Sequence, residues 1–319
     1  MSAQTQSKFG HDSTAMEVIA GIDLRGKNVI VTGASSGLGV ETSRALAAAG
    51  ANLTLPVRNQ EKGEAVATDI RATTGNDAVQ VAALDLADFA SIRQFTDSYQ
   101  KPLHILINNA AIMACPLTRS PQGYEVQFAT NHLGHFLLTG RLIPNLKAAA
   151  PARVVVLSSV GHRLSPVHFD DIHFERREYN KWLAYGQAKT ANALFALELN
   201  RRLSPFGVTA NAVHPGGIMT GLQQHLTHEE MTAMGWFDAE GKLHPIFKTI
   251  EGGAATSVWA ATAPELEGRG GLYLEDCSEA EPATPEKRTG GYQPHIRDEA
   301  AAARLWQMSE EMVGESFSA

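Results

Sequence analysis

Residues 28–32, Asn-Val-Ile-Val-Thr, form a short apolar, β-branched run that stops on Gly33-Ala34-Ser35-Ser36-Gly37-Leu38-Gly39, and an alanine-rich stretch follows to Ala49 before Gly50. No other feature constrains the chain as tightly. A strand this short and apolar is buried on both faces, and a helix starting so close to its end must pack back across the sheet. The glycines mark backbone that turns sharply or closely approaches another surface. Behind them, the helix N-terminus presents unpaired N–H groups and the positive end of the helix dipole. Strand, glycine loop and helix in that order make a seat for an anion such as a pyrophosphate. The spacing is G-x-x-x-G-x-G rather than G-x-G-x-x-G, so on its own the loop also reads as a plain turn.

The alternation continues. Strands are predicted at 53–57, 79–84, 104–107, 154–158, 208–213 and 271–274. Helices are predicted at 61–72, after Asp88 with Phe89, Ile92 and Phe95 on one face, and at 124–147, 182–203 and 252–261. Strands that alternate with helices at this rhythm run parallel, because each helix carries the chain back over the sheet. The expected fold class is α/β, a Rossmann-type doubly wound parallel seven-stranded sheet with helices on both faces. No repeat or low-complexity linker divides the chain. A single domain is therefore expected over 21–319, behind a polar N-terminal arm at 1–20, with a short helix or arm near 16–21. A C-terminal extension, about 276–319, should hold a surface excursion at 279–291. It should also hold an amphipathic helix at 300–312 carrying Leu305, Trp306 and Met308, docked on its own domain or on a neighbour.

Composition excludes several classes. The formal charge of −7 and the lack of a basic run argue against a nucleic-acid partner. Two cysteines, Cys115 and Cys277, build neither a disulfide framework nor a paired-thiolate zinc site, which suits a reducing compartment. The first sixteen residues have no apolar core of signal-peptide length, and no run of about 18 apolar residues offers a membrane span. A soluble, cytoplasmic protein is expected.

Further motifs follow the glycine loop in order: Asn108-Asn109-Ala110 after the fourth strand, Asn131 within NHLGHF, and Ser158-Ser159 after the fifth strand. Tyr185-Gly186-Gln187-Ala188-Lys189 comes next, then Pro215-Gly216 with Thr220. Over roughly residues 25–275 this set resembles the short-chain dehydrogenase/reductase family. The resemblance implies hydride transfer between a nicotinamide cofactor and a carbonyl or alcohol carbon, with Asn131, Ser159, Tyr185 and Lys189 as the catalytic tetrad. It implies cofactor contacts from Gly33, Ser35, Ser36, Gly37, Leu38 and Gly39, from Asp85 and Leu86 near the adenine, and from Asn109 and Ala110. Tyr185, Lys189, Pro215, Gly216, Ile218 and Thr220 complete the set, with Thr220 at the nicotinamide carboxamide. The loop between Ser159 and Tyr185 is longer than is usual in the family, 185 − 159 = 26 positions. That loop and the AKTAN after Tyr185 resemble the retinol-dehydrogenase-like and WW-domain-oxidoreductase branch.

The residue types suit that chemistry. A carbonyl that accepts hydride needs a proton, and tyrosine, at a reference pKa of about 10, gives it up reluctantly near neutrality. Lys189 lies one helical turn from Tyr185, so its charge is expected to lower the tyrosine pKa. Ser159 is expected to hold the carbonyl oxygen by a hydrogen bond. By resemblance, Asn131 positions a water that links Lys189 to solvent.

An acid at the end of the second strand would bind the ribose hydroxyls of NAD. This chain reads Leu55-Pro56-Val57-Arg58-Asn59 there, and Arg58 suits a 2′-phosphate, so NADP(H) and the reductive direction are expected. The segment 217–249 carries Met219, Leu222, Leu226, Met231, Met234, Trp236, Phe237 and Phe247 where the family keeps its substrate lid. It suits a small apolar carbonyl or alcohol substrate, although such residues equally pack a lid on a core. His168, Asp170, Asp171 and His173 match no helix-face spacing, and His132 and His135 read as packed or hydrogen-bonded, so no metal is expected. Two rival readings remain: a non-catalytic NADPH-binding sensor or scaffold, and a C=C reductase resembling light-dependent protochlorophyllide reductases. The resemblance also implies a homodimer or homotetramer paired through the helices at 124–147 and 182–203.

Overall fold

A computed structural model describes residues 7–285 and 289–318 of the chain. Residues 1–6 of the expected arm, and 286–288 and 319 of the expected extension, lie outside the described residues. Helix α1 (Ala15–Ile19) precedes β1 (Asn28–Val31), α2 (Leu38–Ala48), β2 (Asn52–Val57), α3 (Gln60–Thr74), β3 (Val79–Ala83), α4 (Phe89–Ser98) and β4 (Ile105–Asn108). The local signals explain these bounds. Asn59 caps α3 by accepting the N–H of Lys62, and Gly75 ends it in the left-handed region, where a side chain would be strained. Asp88 caps α4 through the N–H of Ala90.

The predicted helix at 124–147 is broken into α5 (Val126–Phe128), a π turn (Ala129–Leu133), α6 (Gly134–Arg141) and α7 (Ile143–Ala148). Pro144, lacking an N–H, sits in the first turn of α7 where none is needed. The chain continues through β5 (Ala152–Leu157), α8 (Lys181–Leu203), β6 (Val208–His214), β7 (Gly217–Ile218), α9 (His228–Ala233), β8 (Phe247–Lys248), α10 (Ile250–Thr262), β9 (Tyr273–Glu275), β10 (Ser278–Glu279) and α11 (Glu299–Val313).

One sheet holds eight strands in the order β10-β9-β6-β5-β4-β1-β2-β3. Every pair is parallel except β9 with β10. The seven expected strands are therefore joined by an eighth. Asp276 and Cys277, at φ 49° and 53°, turn the chain back after β9 into a two-residue antiparallel edge. Two residues are too short to show an alternating pattern.

Helices cover both faces. One core layer packs α4, α6, α8 and α11 on the sheet, and the other packs α1, α2 and α10. Helix α11 docks on its own chain: Trp306 lies edge-on to Phe136 with ring centroids 5.0 Å apart, and Ser309 Oγ is 2.8 Å from His132 Nε2. Among the described residues no helix is long and apolar enough to cross a membrane.

His132, His135 and His162 are completely buried. Burial holds their rings at about 3, 4 and 4 respectively, below the ordinary histidine value of about 6.5. The unfolded chain therefore takes up protons first, and the stability each ring contributes is intact above pH 6.5 and lost as pH falls towards 4. By pH 5 each ring costs about 2 kcal/mol. The thermal midpoint should fall steeply as pH drops from 6 to 5; a midpoint that stays level over that interval contradicts this.

Candidate active site

At the C-terminal ends of the parallel strands lies a cavity of about 1210 Å³. Every site residue expected from the sequence lines it except Asn131. Its floor begins at the turn after β1. A Cβ on Gly39 would lie 2.3 Å from the carbonyl oxygen of Gly33, so only glycine lets the first turn of α2 fold against the loop. Asn109 Nδ2 donates to the carbonyl of Thr32 at 2.8 Å and fixes the loop from β4.

The hydroxyl of Thr32 is the hub of this corner. It accepts the N–H groups of Asn109 and Ala110 at 2.9 and 3.0 Å and lies 2.9 Å from His135 Nε2. His135 Nδ1 lies 3.0 Å from the carbonyl oxygen of Asn131, which only a protonated nitrogen can satisfy. Nδ1 therefore carries the ring proton, and Thr32 donates to Nε2. One neutral histidine joins the glycine loop to the π turn.

Asn131 is fully buried, and its side chain is spent on Ile112: Oδ1 accepts that residue's N–H and Nδ2 donates to its carbonyl, both at 2.9 Å. It acts as a staple between the π turn and the loop after β4, facing backbone rather than the cavity.

Ser159, Tyr185 and Lys189 meet at the cavity's inner end. The Ser159 hydroxyl lies beside the Tyr185 phenol, and its Oγ accepts the N–H of Gly161 at 3.1 Å. The neighbouring Ser158 points away and donates to the carbonyl of Lys189 at 2.8 Å, tying α8 to the end of β5. Lys189 Nζ donates to the carbonyl of Leu157 at 3.1 Å and lies 5.6 Å from the centre of the Tyr185 ring. Burial pulls Lys189 down to about 7. Burial also pushes Tyr185 up to about 12, against a smaller opposing pull from the Ser159 hydroxyl. The expected lowering of Tyr185 by Lys189 is thus outweighed among the protein groups: loss of water around the phenol dominates.

At the other end, Arg58 and Asn59 line the cavity with a residue that the sequence reading missed, Lys62. Its spacing of four from Arg58, in the first turn of α3, was the available signal. Neither residue directly after β2, Arg58 or Asn59, is a carboxylate. Asp85 lines the same end and folds its carboxylate onto the N–H of Ala87. Thr220 caps a short turn through the N–H of Leu222, and its side chain rests against Gly37.

The segment 217–249 supplies Leu222, Met234, Trp236 and Phe247 to the cavity. Trp236 stacks edge-on with Trp182 of α8 at 6.3 Å and with Phe247 at 5.4 Å, beside Met113 and Tyr185. Lys181 pairs with Glu230 and fastens this segment to α8. Trp182, Met113, His214 and Thr289 also line the cavity and were missed, since each has an equally ordinary reading as a packed or surface residue. Asp171 does local work: its carboxylate accepts the N–H groups of Glu175 and Arg177 at 2.8 and 2.9 Å.

Residues 27–231 match the family described as short chain dehydrogenase. A Streptomyces antibioticus protein named "Probable oxidoreductase" is 46% identical over 290 residues, 90% of this chain and 97% of that protein. Human retinol dehydrogenase 12 is 42% identical over 296 residues, 92% of this chain and 88% of its own. Among solved structures, an uncharacterized Mycobacterium paratuberculosis protein has a TM-score of 0.74 at 33% identity, covering 97% of this chain and 100% of that one. An Escherichia coli CFT073 protein complexed with NADPH has a TM-score of 0.61 at 25% identity, covering 79% and 97%.

Replacing Thr32 by the near-isosteric valine tests the hub. It strands the N–H of Ala110 and a ring nitrogen, each at a cost of about 1–3 kcal/mol when buried, and leaves the N–H of Asn109 only its bond to the carbonyl of Ile107. Thr32→Val should lower the urea unfolding free energy by about 3 kcal/mol or more; a loss below about 1 kcal/mol would mean the hydroxyl is dispensable.

Proposed function

We propose, on the premise that this chain belongs to the short chain dehydrogenase family, that it interconverts a mainly apolar carbonyl compound and its alcohol using NADP(H), with Tyr185 as acid and base. It is a dehydrogenase/reductase acting on CH–OH and C=O groups. The observation that carries the finer reading is one cavity with Ser159, Tyr185 and Lys189 at one end and Arg58 and Lys62 at the other.

When bound, the dinucleotide supplies or accepts the hydride. The glycine loop, with the first turn of α2 behind it, suits its pyrophosphate, and Thr220 suits its carboxamide. Arg58, the backbone at Asn59 and Lys62 form a cationic corner fit for a 2′-phosphate.

The chain's own groups manage the proton. Tyr185, held neutral by burial, presents a proton at Oη to the substrate oxygen. The Ser159 hydroxyl shares that oxygen and holds it in line. After transfer, the phenolate is stabilised by the Ser159 hydroxyl and by Lys189, which near its value of about 7 both holds and releases a proton at neutral pH. Trp182, Trp236, Phe247 and Met113 keep water from this end and favour an apolar substrate. Retinoid-like aldehydes therefore belong in a substrate panel, in keeping with the name of the human relative.

Pairing through the two long helices meets an obstacle. α11 and Phe317 lie on the outer faces of α6 and α8, with Phe317 against Gly140. A homodimer or homotetramer of this chain must use other surface or displace them.

Tyr185→Phe should reduce carbonyl reduction by about 10²–10⁴-fold with NADPH binding unchanged, measured by NADPH oxidation. Retained turnover would sink the tyrosine reading. The double variant Arg58→Ala with Lys62→Ala should weaken NADPH binding by about 10–100-fold while leaving NADH within about twofold. Equal weakening of both cofactors would move these cations away from the 2′-phosphate.

A further inference from the structure

We infer that residues 289–293, beyond the region that matches the family, are a strap that walls the substrate site and sets the size of carbonyl compound admitted; this rests on the active-site reading above. From the sequence, 279–291 is expected to be a surface excursion. Thr289 instead lines the same cavity as Tyr185, on a segment anchored from within the protein.

Side chains from two strand ends and from the turn after Ser159 hold the strap. Glu275, the last residue of β9 and 4% exposed, accepts the N–H of Gly291 with both carboxylate oxygens, at 3.0 and 2.8 Å. His214, the last residue of β6, lies with Nε2 3.1 Å from the carbonyl of Thr289, while its Nδ1 accepts the N–H of Val160 at 3.2 Å. His162, in the turn after Ser159, accepts the N–H of Gln293 at Nε2 (3.1 Å) and places Nδ1 2.7 Å from the carbonyl of Ser159. Arg163 Nη1 adds a bond to the carbonyl of Gly290 at 3.1 Å.

These contacts fix each ring in one neutral form. Nε2 carries the proton in His214 and Nδ1 carries it in His162, since a carbonyl must be met by N–H and a backbone N–H by a bare nitrogen. Each histidine therefore joins the strap to the backbone of the turn that carries Ser159. A surface loop spends its backbone on water. This one spends Thr289, Gly290, Gly291 and Gln293 on side chains that are mostly buried. Gly291 is at φ 77°, and a Cβ there would lie 2.7 Å from Ala283 Cα, so the path of the strap requires glycine. The lid supplies apolar walls at Trp236 and Phe247, and Thr289 enters from the strap. A threonine admits bulk that a larger side chain there would exclude.

Two substitutions of opposite sense at Thr289 test this, read as kcat/KM for a bulky polyene or aromatic aldehyde divided by kcat/KM for a short aliphatic aldehyde. Melting and NADPH titration should accompany each. Thr289→Trp should lower the ratio about tenfold or more, and Thr289→Gly should raise it, with NADPH affinity within about twofold of the parent. Gly291→Ala, which adds nothing at Thr289 itself, should also shift the ratio if the strap forms the wall. An unchanged ratio in the Thr289 pair overturns the inference. So does a loss of NADPH affinity at constant ratio, which would put Thr289 against the cofactor. Tyr185→Phe in the same assay separates the two proposals: retained turnover there fails the tyrosine reading and leaves the ratio test standing.

Discussion

The ammonium of Lys189 sits almost wholly inside the protein, donating to the carbonyl of Leu157. Taking a cation out of water is expensive, and that cost is the constraint around which the site is arranged. It draws Lys189 down to about 7, and the same dryness pushes the neighbouring Tyr185 up to about 12. A wet site would leave the two groups near their reference values of about 10.4 and 10, one charged and one neutral, with no reason for either to exchange a proton at pH 7. The dry one keeps the phenol neutral and lets the amine trade its proton freely. The surroundings maintain that dryness. Ser158 ties the helix to the strand beside it, and the aromatic lid lies against the open side.

Such a site needs its two ends held in register, since a misplacement of about 1 Å in a reacting group is costly. The register runs through Thr32, His135 and Asn131. The glycine loop bonds to the hydroxyl's neighbours, the hydroxyl to the ring, and the ring to the carbonyl of the π turn. In the π turn the Asn131 carbonyl meets the ring of His135, while the Asn131 side chain clamps Ile112.

Local chemistry made much of this legible beforehand. A β-branched run, a glycine loop and an alanine-rich helix declare themselves within about twenty residues, and the cap at Asp88 marks the start of α4. What stayed hidden depends on partners far along the chain. Gln293 and His162 are 131 positions apart, and Ser309 and His132 are 177 apart. Nothing near His162 distinguishes a ring that anchors a distant strap from one packed in a core. The π turn was hidden for another reason: its sequence, ATNHL, is as helical in pattern as its flanks, and only the long-range bonds of Asn131 and His135 select the wider turn. Lys62 was readable from its spacing to Arg58, yet a lysine on an exposed helix has an equally good reading as a solvated charge.

The C-terminal extension draws these threads together. Its helix, through Trp306 and Ser309, and Phe317 beyond it cover the faces of α6 and α8 on the side away from the sheet, and His132 on that face is one turn from His135. Its strap reaches the opposite end of the same layer, at His162 and the turn that carries Ser159. The extension therefore touches the catalytic layer at two points, one behind Asn131 and one behind Ser159. Packing at this density transmits small displacements rather than absorbing them. Sequence change in the extension should consequently be felt in selectivity and turnover, even though the glycine loop and the tyrosine–lysine pair lie wholly outside it. On the inference that the strap walls the substrate site, the part of the chain least constrained by the family motif is the part best placed to set what the enzyme acts on.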